Sequence, residues 1–301
     1  MTAVDATKKT TPLDKIPLQW VGMGNLKLPL KVVFAVKETN LRKELLLTAK
    51  MNAFVDLVKP SRGIHMSRIY SSLQEFSKTP IENLKQFKDL ALKILATHND
   101  LSHAVKLEVE LEIPLLKKSL KSELSYRQVY PLKIILQKTH NVLESFLEFS
   151  IAYSSTCPQS AALSKEVFIQ QLSQKSSKEE ILDFIEQNGL LATPHAQRSQ
   201  LDVTIKLKTQ NSEDLFLMDW AQGLIEKLEQ SLGTPTQGFV KRVDEQQFAV
   251  LNAQNLMFCE DAARRIFLCL GEEKLLEGFW GKVSHFESLH SHDAVAYFSK
   301  I

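Results

Sequence analysis

The 301 residues, 44% hydrophobic and 24% charged, suffice for a real core in about two domains and exclude a mainly disordered chain. Basic and acidic side chains number 37 and 35 and leave a net charge of +2, so there is no global field to draw in nucleic acid or an anionic membrane, while a small anionic ligand stays open. No apolar run approaches the roughly eighteen residues that span a bilayer and the polar start lacks a signal-peptide core, so the chain is expected in the cytoplasm with Cys157, Cys259 and Cys269 as free thiols.

Residues 1–15, rich in Thr, Lys and Asp, have no periodicity and read as a flexible tail. Lys27 to Val36 and Leu45 to Val58 are rich in apolar and β-branched residues and predict two strands. Two helices follow, IYSSLQEF and then IENLKQFKDLALKILATH, in which Leu84, Phe87, Leu90 and Ile94 recur at helical spacing. Alternation at Val105, Leu107, Val109 and Leu111, and again from Val129 to Leu136, predicts two further strands.

A second half starts near Thr139 with a segment that alternates like a strand up to Thr156. Between Cys157 and His195 lies a Ser-, Gln- and Lys-rich insert with one helical piece, KEEILDFIEQ, read as a surface excursion. LDVTIKLKT faces Leu201, Val203, Ile205 and Leu207 one way, as a strand does. A helix from about Glu213 to Leu232 should stop at Gly233-Thr234-Pro235, followed by a short strand TQGFVKR, a helix from Leu251 to Leu270, and a final strand VSHFESLHSHDAVAYF. Helices grouped between strand pairs, without βαβ alternation, favour an antiparallel α+β class with units at 16–138 and 139–301.

No glycine-rich nucleotide motif is present, which removes Rossmann and P-loop readings. What stands out is a polar, metal-competent set in the second half. Cys157, at a strand end before Pro158, reads as a thiolate ligand or nucleophile, or as the commoner buried thiol. His290 and His292 on a strand would share one face, with Glu287 on the other; such a pair shares a metal, divides a proton relay, or is a hydrated cluster at a sheet edge. His195 in TPHAQRS and Glu245 in KRVDEQ fall in polar loops beside strands, and for Glu245 a solvated charge is the plain alternative. Glu260, set among apolar residues in NLMFCEDAARR, is suited to grip the N1 and exocyclic-amine edge of guanine through two hydrogen bonds, against a weak helix salt bridge to Arg264 or Arg265.

Six segments taken together, RGIHMSRIY, SSTCP, PHAQRS, KRVDEQ, NLMFCEDAARR and HFESLHSHDAVA, resemble in order the landmarks of the type IB GTP cyclohydrolases of prokaryotes. The resemblance implies tandem tunnelling-fold units, each an antiparallel four-stranded sheet packed by two helices. It further implies a homo-oligomer, a tetramer, with active sites between subunits. The implied reaction hydrolyses GTP at C8 of the guanine ring, releases formate and gives 7,8-dihydroneopterin triphosphate, the first step toward tetrahydrofolate. It assigns Cys157, His195 and Glu245 to a divalent metal (zinc, manganese or iron). It assigns His290, His292 and Glu287, with Cys157, to catalysis, Glu260 to guanine, and Arg62, His65, Arg68, Arg198, Lys241 and Arg242 to the triphosphate. Two departures stand out: Gln159 occupies a position where many relatives carry a second cysteine, and the insert separates Cys157 from His195. The alternatives are an NADPH-dependent 7-cyano-7-deazaguanine reductase of the same superfamily, with Cys157 as nucleophile, and a non-catalytic purine-binding oligomer.

Overall fold

Long stretches in which every second side chain is apolar make a sheet with one buried and one open face. In the computed structural model, which describes residues 12–35, 41–139, 141–175, 177–210, 212 and 215–301, these stretches pair into one sheet. Its strands are β1 (Leu18–Ala35), β2 (Arg42–Leu57), β3 (Val105–Lys118), β4 (Ser125–Thr139), β5 (Val142–Thr156), β6 (Ala196–Leu207), β7 (Leu276–His285) and β8 (Ala294–Lys300). They lie side by side in sequence order, each antiparallel to the next.

The two expected four-stranded sheets are therefore a single eight-stranded one, because β4 and β5 pair continuously from Leu132↔Phe149 to Thr139↔Val142. Among the described residues, seven α-helices accompany it: α1 (Met66–Phe76) and α2 (Leu84–Ala96) between β2 and β3, α3 (Pro158–Leu172) and α4 (Lys178–Asn188) between β5 and β6, and α5 (Leu217–Leu232), α6 (Arg242–Gln254) and α7 (Cys259–Gly271) between β6 and β7. The α+β class read from the sequence is the one observed. Among the described residues, no helix is long and apolar enough to cross a membrane.

Four helices, α1, α2, α5 and α7, cover the buried face. Ile69, Leu73, Phe87, Ile94, Leu228 and Ile266 pack there against Leu30, Val109, Ile134, Ile151 and Phe279 of the sheet, each buried side chain being worth about 1.5–3 kcal/mol. The opposite face is a broad concave cleft of about 1080 Å³ lined by Lys50, Glu110, Lys133, Asp202, Lys282 and Trp280 among others. Cross-strand ion pairs such as Lys50–Glu110 (3.0 Å) populate it.

Several elements depart from the sequence reading. β1 begins well before Lys27, at Leu18, because register shifts before Val21 and Leu26, with Asn25 in the left-handed region (φ 58°), break the alternation that announces a strand. TQGFVKR is not a strand; Thr234 Oγ1 and Ser119 Oγ tie that stretch down through Ser154 O and Phe239 O instead of a ladder. The expected helix from Leu251 is two helices, α6 and α7, broken at Asn255, whose Nδ2 donates to Leu232 O (2.7 Å).

The final strand is instead the hairpin β7–β8 with residues 286–293 as its connection. α5 ends at Gly233 in the left-handed conformation (φ 83°), as expected. Its expected start at Glu213, and residues 1–11 of the expected tail, lie outside the described residues, while Pro12–Lys15 forms a 3-10 turn.

Candidate active site

The end of β5, the start of β6, the end of β7 and the start of β8 fall at one end of the sheet. The β5–β6 ladder closes at Thr156↔Ala196 and continues one step further, Cys157 N donating to His195 O at 3.2 Å. The thiol and the imidazole are thus brought side by side by the same pairing that makes the sheet. Cys157 caps α3: Pro158 occupies the first turn and Sγ accepts from Ser160 N (3.5 Å), while Ser160 Oγ accepts from His195 N (3.1 Å). The insert leaves both strand ends in place, since it leaves from Cys157 and returns just before Ala196.

Three residues into β6 from Ala196, Ser199↔His285 aligns β7 with β6, and Phe286 N donates to Arg198 O (3.1 Å) to hold the start of the β7–β8 connection. Glu287 then reaches across, its Oε2 3.6 Å from His195 Nδ1, with both side chains largely buried. His290 and His292 lie in this connection, not on a strand, and are exposed. Their rings nevertheless stack, centroids 5.0 Å apart and planes 15° from parallel. Sharing a strand face is therefore not what pairs them; the tight connection does.

Glu260 projects from the first turn of α7, and Cys259 Sγ donates to its Oε2 (3.3 Å). The break at Asn255 brings this turn to the end of β5: Met257 N donates to Thr156 O at 3.2 Å. The arginines weighed as its partners are engaged elsewhere, Arg264 with Asp261 (3.3 Å) and Arg265 with Asn255 Oδ1 (2.7 Å). Burial and the neighbouring Glu260 push the Cys259 thiol up to about 11, which keeps it a neutral core group. Cys269 is half-buried against the same core.

Glu245 is exposed in the first turn of α6. It precedes Asn252, which is tied to β5 by Ser154 Oγ (2.7 Å), by seven residues or about 10 Å of helix. Among the described residues, no three His, Cys, Asp or Glu side chains are gathered closely enough to hold a metal ion, Cys157, His195 and Glu245 included. The neighbouring Asp244 is wholly buried and latches α6 to the β3–β4 turn, accepting from Lys121 N, Ser122 N, Ser122 Oγ and Lys241 N. Burial alone would raise its carboxyl, but these donors outweigh it and hold the group well below the usual carboxylate range.

Of the cationic candidates, Arg198 on β6 lines a cleft of about 390 Å³ with Tyr126, Gln128 and Thr236, and Lys241 and Arg242 begin α6 nearby. Arg62, His65 and Arg68 follow β2 at the opposite end of the sheet. There Arg68 Nη1 donates to Thr97 O (2.6 Å) and faces Asp100 (3.7 Å). Val55, Val105, Lys138 and Leu143 share one rung across β2–β5. Cys157 lies fourteen residues beyond Leu143, roughly 45 Å along the strand at about 3.3 Å per residue.

A profile of the type I GTP cyclohydrolase FolE2 family matches residues 3–296. GTP cyclohydrolase FolE2 of Bdellovibrio bacteriovorus is 38% identical over 304 residues, covering 98% of this chain and 95% of that protein. That of Pseudomonas putida is 40% identical over 288 residues, covering 93% and 90%. The chain belongs to the type I GTP cyclohydrolase FolE2 family. These matches carry the FolE2 designation and not the type IB label expected from the motifs.

Among solved structures, uricase from Arthrobacter globiformis superposes with a TM-score of 0.53 over 94% of this chain and 93% of that one at 6% identity, and a hyper-thermostable mutant of it scores 0.52. At that identity the likeness shows the fold alone, a uricase-like tunnelling fold shared by this FolE2 family member. Sequence reasoning missed the polar residues behind the site, Tyr153, Ser155, Gln197 and Ser199. Their available signal was position, since Gln197 and Ser199 alternate in register with the buried Leu201 and Val203, where apolar side chains are the rule.

Proposed function

We propose that the chain is a GTP cyclohydrolase acting in folate biosynthesis, hydrolysing GTP at C8 of guanine to release formate and give 7,8-dihydroneopterin triphosphate. The observation that carries the reading is the family match over residues 3–296, together with the convergence of Cys157, His195, Glu287 and the His290–His292 pair at one sheet end. In this proposal Glu260 accepts from guanine N1–H and the exocyclic amine. The exposed, stacked His290 and His292 deliver and take protons at N7 and at the departing formyl group. Glu287 orients His195, which its position beside Nδ1 supports.

Cys157 is placed as the thiol beside the reacting ring, and Arg198, Lys241 and Arg242 as cations for the triphosphate. Arg62, His65 and Arg68 join them only from a neighbouring chain, because the length of the sheet separates them within one. That separation supports a homo-oligomer, a tetramer in this proposal, with sites between subunits. The proposal also reads residues 16–138 and 139–301 as two tunnelling-fold units in tandem, after a tail at 1–15, and places the enzyme in the cytoplasm.

A divalent metal, zinc, iron or manganese, belongs to the proposal as a requirement, and Cys157, His195 and Glu245 are the residues that would hold it. The test is formate release from GTP: activity is expected to vanish after chelation, to return with one of these ions, and to fall by at least 100-fold, on the order of 3 kcal/mol in barrier, in Cys157→Ala. NADPH oxidation with the cyano-deazaguanine substrate, without formate from GTP, would transfer the reading to the reductase.

A further inference from the structure

Behind His195 runs a line of buried polar atoms through Gln197 and Ser155 to Ser199. His195 Nδ1 lies 3.1 Å from Gln197 Oε1, Gln197 Nε2 donates to Ser155 Oγ (3.0 Å), and Ser155 Oγ lies 2.7 Å from Ser199 Oγ. Beyond Ser199, the Tyr153 hydroxyl lies 2.9 Å from His285 Nε2. Gln197, Ser155, Ser199, Tyr153 and His285 are each at most 8% exposed, so no bulk water substitutes for a missing partner.

Every hydroxyl in such a line gives one proton and receives one, so the whole line runs in one direction or the other. Glu287 decides which. Its Oε2, 3.6 Å from His195 Nδ1, favours a proton on that nitrogen. Nδ1–H then donates to Gln197 Oε1, which turns the amide nitrogen toward Ser155. Ser155, receiving from that nitrogen, donates in turn to Ser199.

We propose that Gln197, its amide held in one orientation by Ser155, is a positioning residue that fixes His195 as the Nδ1–H tautomer, leaving Nε2 with its lone pair free for the site. A ring nitrogen used as a ligand or base is set by the hydrogen bond its partner nitrogen makes, and loss of such a partner typically lowers activity or affinity about 10- to 100-fold. The value of this arrangement to catalysis rests on the cyclohydrolase reading; the tautomer itself does not.

The test is a two-bond proton–nitrogen correlation spectrum of the full-length protein labelled with [15N]histidine, without GTP, the His195 signals being those absent from His195→Gln. The wild type is expected to show protonated Nδ1 and bare Nε2 at His195. Gln197→Leu should lose the fixed tautomer at His195, and with it lose about 10- to 100-fold in kcat at little-changed KM for GTP. Gln197→Glu, close in shape and still an acceptor, should keep the His195 tautomer, and it serves if the leucine variant does not fold. Protonated Nε2 at His195 in the wild type, or a His195 tautomer unchanged in Gln197→Leu, would overturn the proposal. Absence of formate from GTP with the tautomers as described would overturn the cyclohydrolase reading and leave this one standing.

Discussion

His285 closes β7 with its ring edge-on to Tyr153 and its Nε2 2.9 Å from that phenol, in a pocket from which water is excluded. Burial holds its pKa down to about 4 from the ordinary 6.5. Between those two values the unfolded chain carries a proton that the folded chain refuses, so stability rises with pH across that window. The contribution is complete above about 6.5 and lost on descending toward 4. Going from pH 7 to pH 5 should cost roughly 2 kcal/mol through this residue alone. Asp244 does not blur the measurement, because its carboxyl is held below the usual range and stays ionised throughout that interval. Urea unfolding at pH 7 and pH 5 checks this: His285→Gln is expected to show a clearly smaller loss than the wild type, and parallel losses in the two proteins would refute it.

At the scale of elements, what an element buries decided most of what was legible, with α4, read from KEEILDFIEQ although it buries nothing, as the exception. α2, with Phe87, Leu90 and Ile94 buried, and β3 and β6, with alternate residues buried, all show the periodicity of their own geometry. α3 buries nothing and α6 only Asp244, so neither has an apolar stripe to read. The β7–β8 connection was read as continuous strand because residues 286–293 contain no glycine or proline to announce a turn. The His290–His292 pair was legible as a motif, but its contact geometry was not. The approach of Glu287 to His195 depends on the Ser199↔His285 register, which no local pattern encodes.

The insert permits a direct check of this argument. Cys157 and Ser160 hold His195 from the first turn of α3, while neither α3 nor α4 buries a residue. Replacing residues 164–190 by a short Gly-Ser link is therefore expected to change unfolding free energy by no more than about 1 kcal/mol, the scale of a change in loop length. A loss of several kcal/mol in urea titration would show that the hairpin packs on something, and a loss of formate release at unchanged stability would place it in the reaction.

For the whole molecule, the sheet sets the distance between the two halves of the proposed site. Cys157 and His195 stand at one end of the strands, and Arg62, His65 and Arg68 follow β2 at the other, roughly 45 Å of strand away at about 3.3 Å per residue. No side chain spans that interval, so if Arg62 holds substrate for Cys157, it does so for the Cys157 of another chain. Cys157→Ala and Arg62→Ala are each expected to be inactive as homo-oligomers. Mixed at equal amounts, dissociated and reassembled, a site is intact when its Cys157 comes from the arginine variant and its Arg62 from the cysteine variant. With random assembly in a symmetric oligomer this leaves about one quarter of wild-type formate release. A site complete within one chain would give no recovery at any mixing ratio, because every chain in the mixture lacks one of the two side chains.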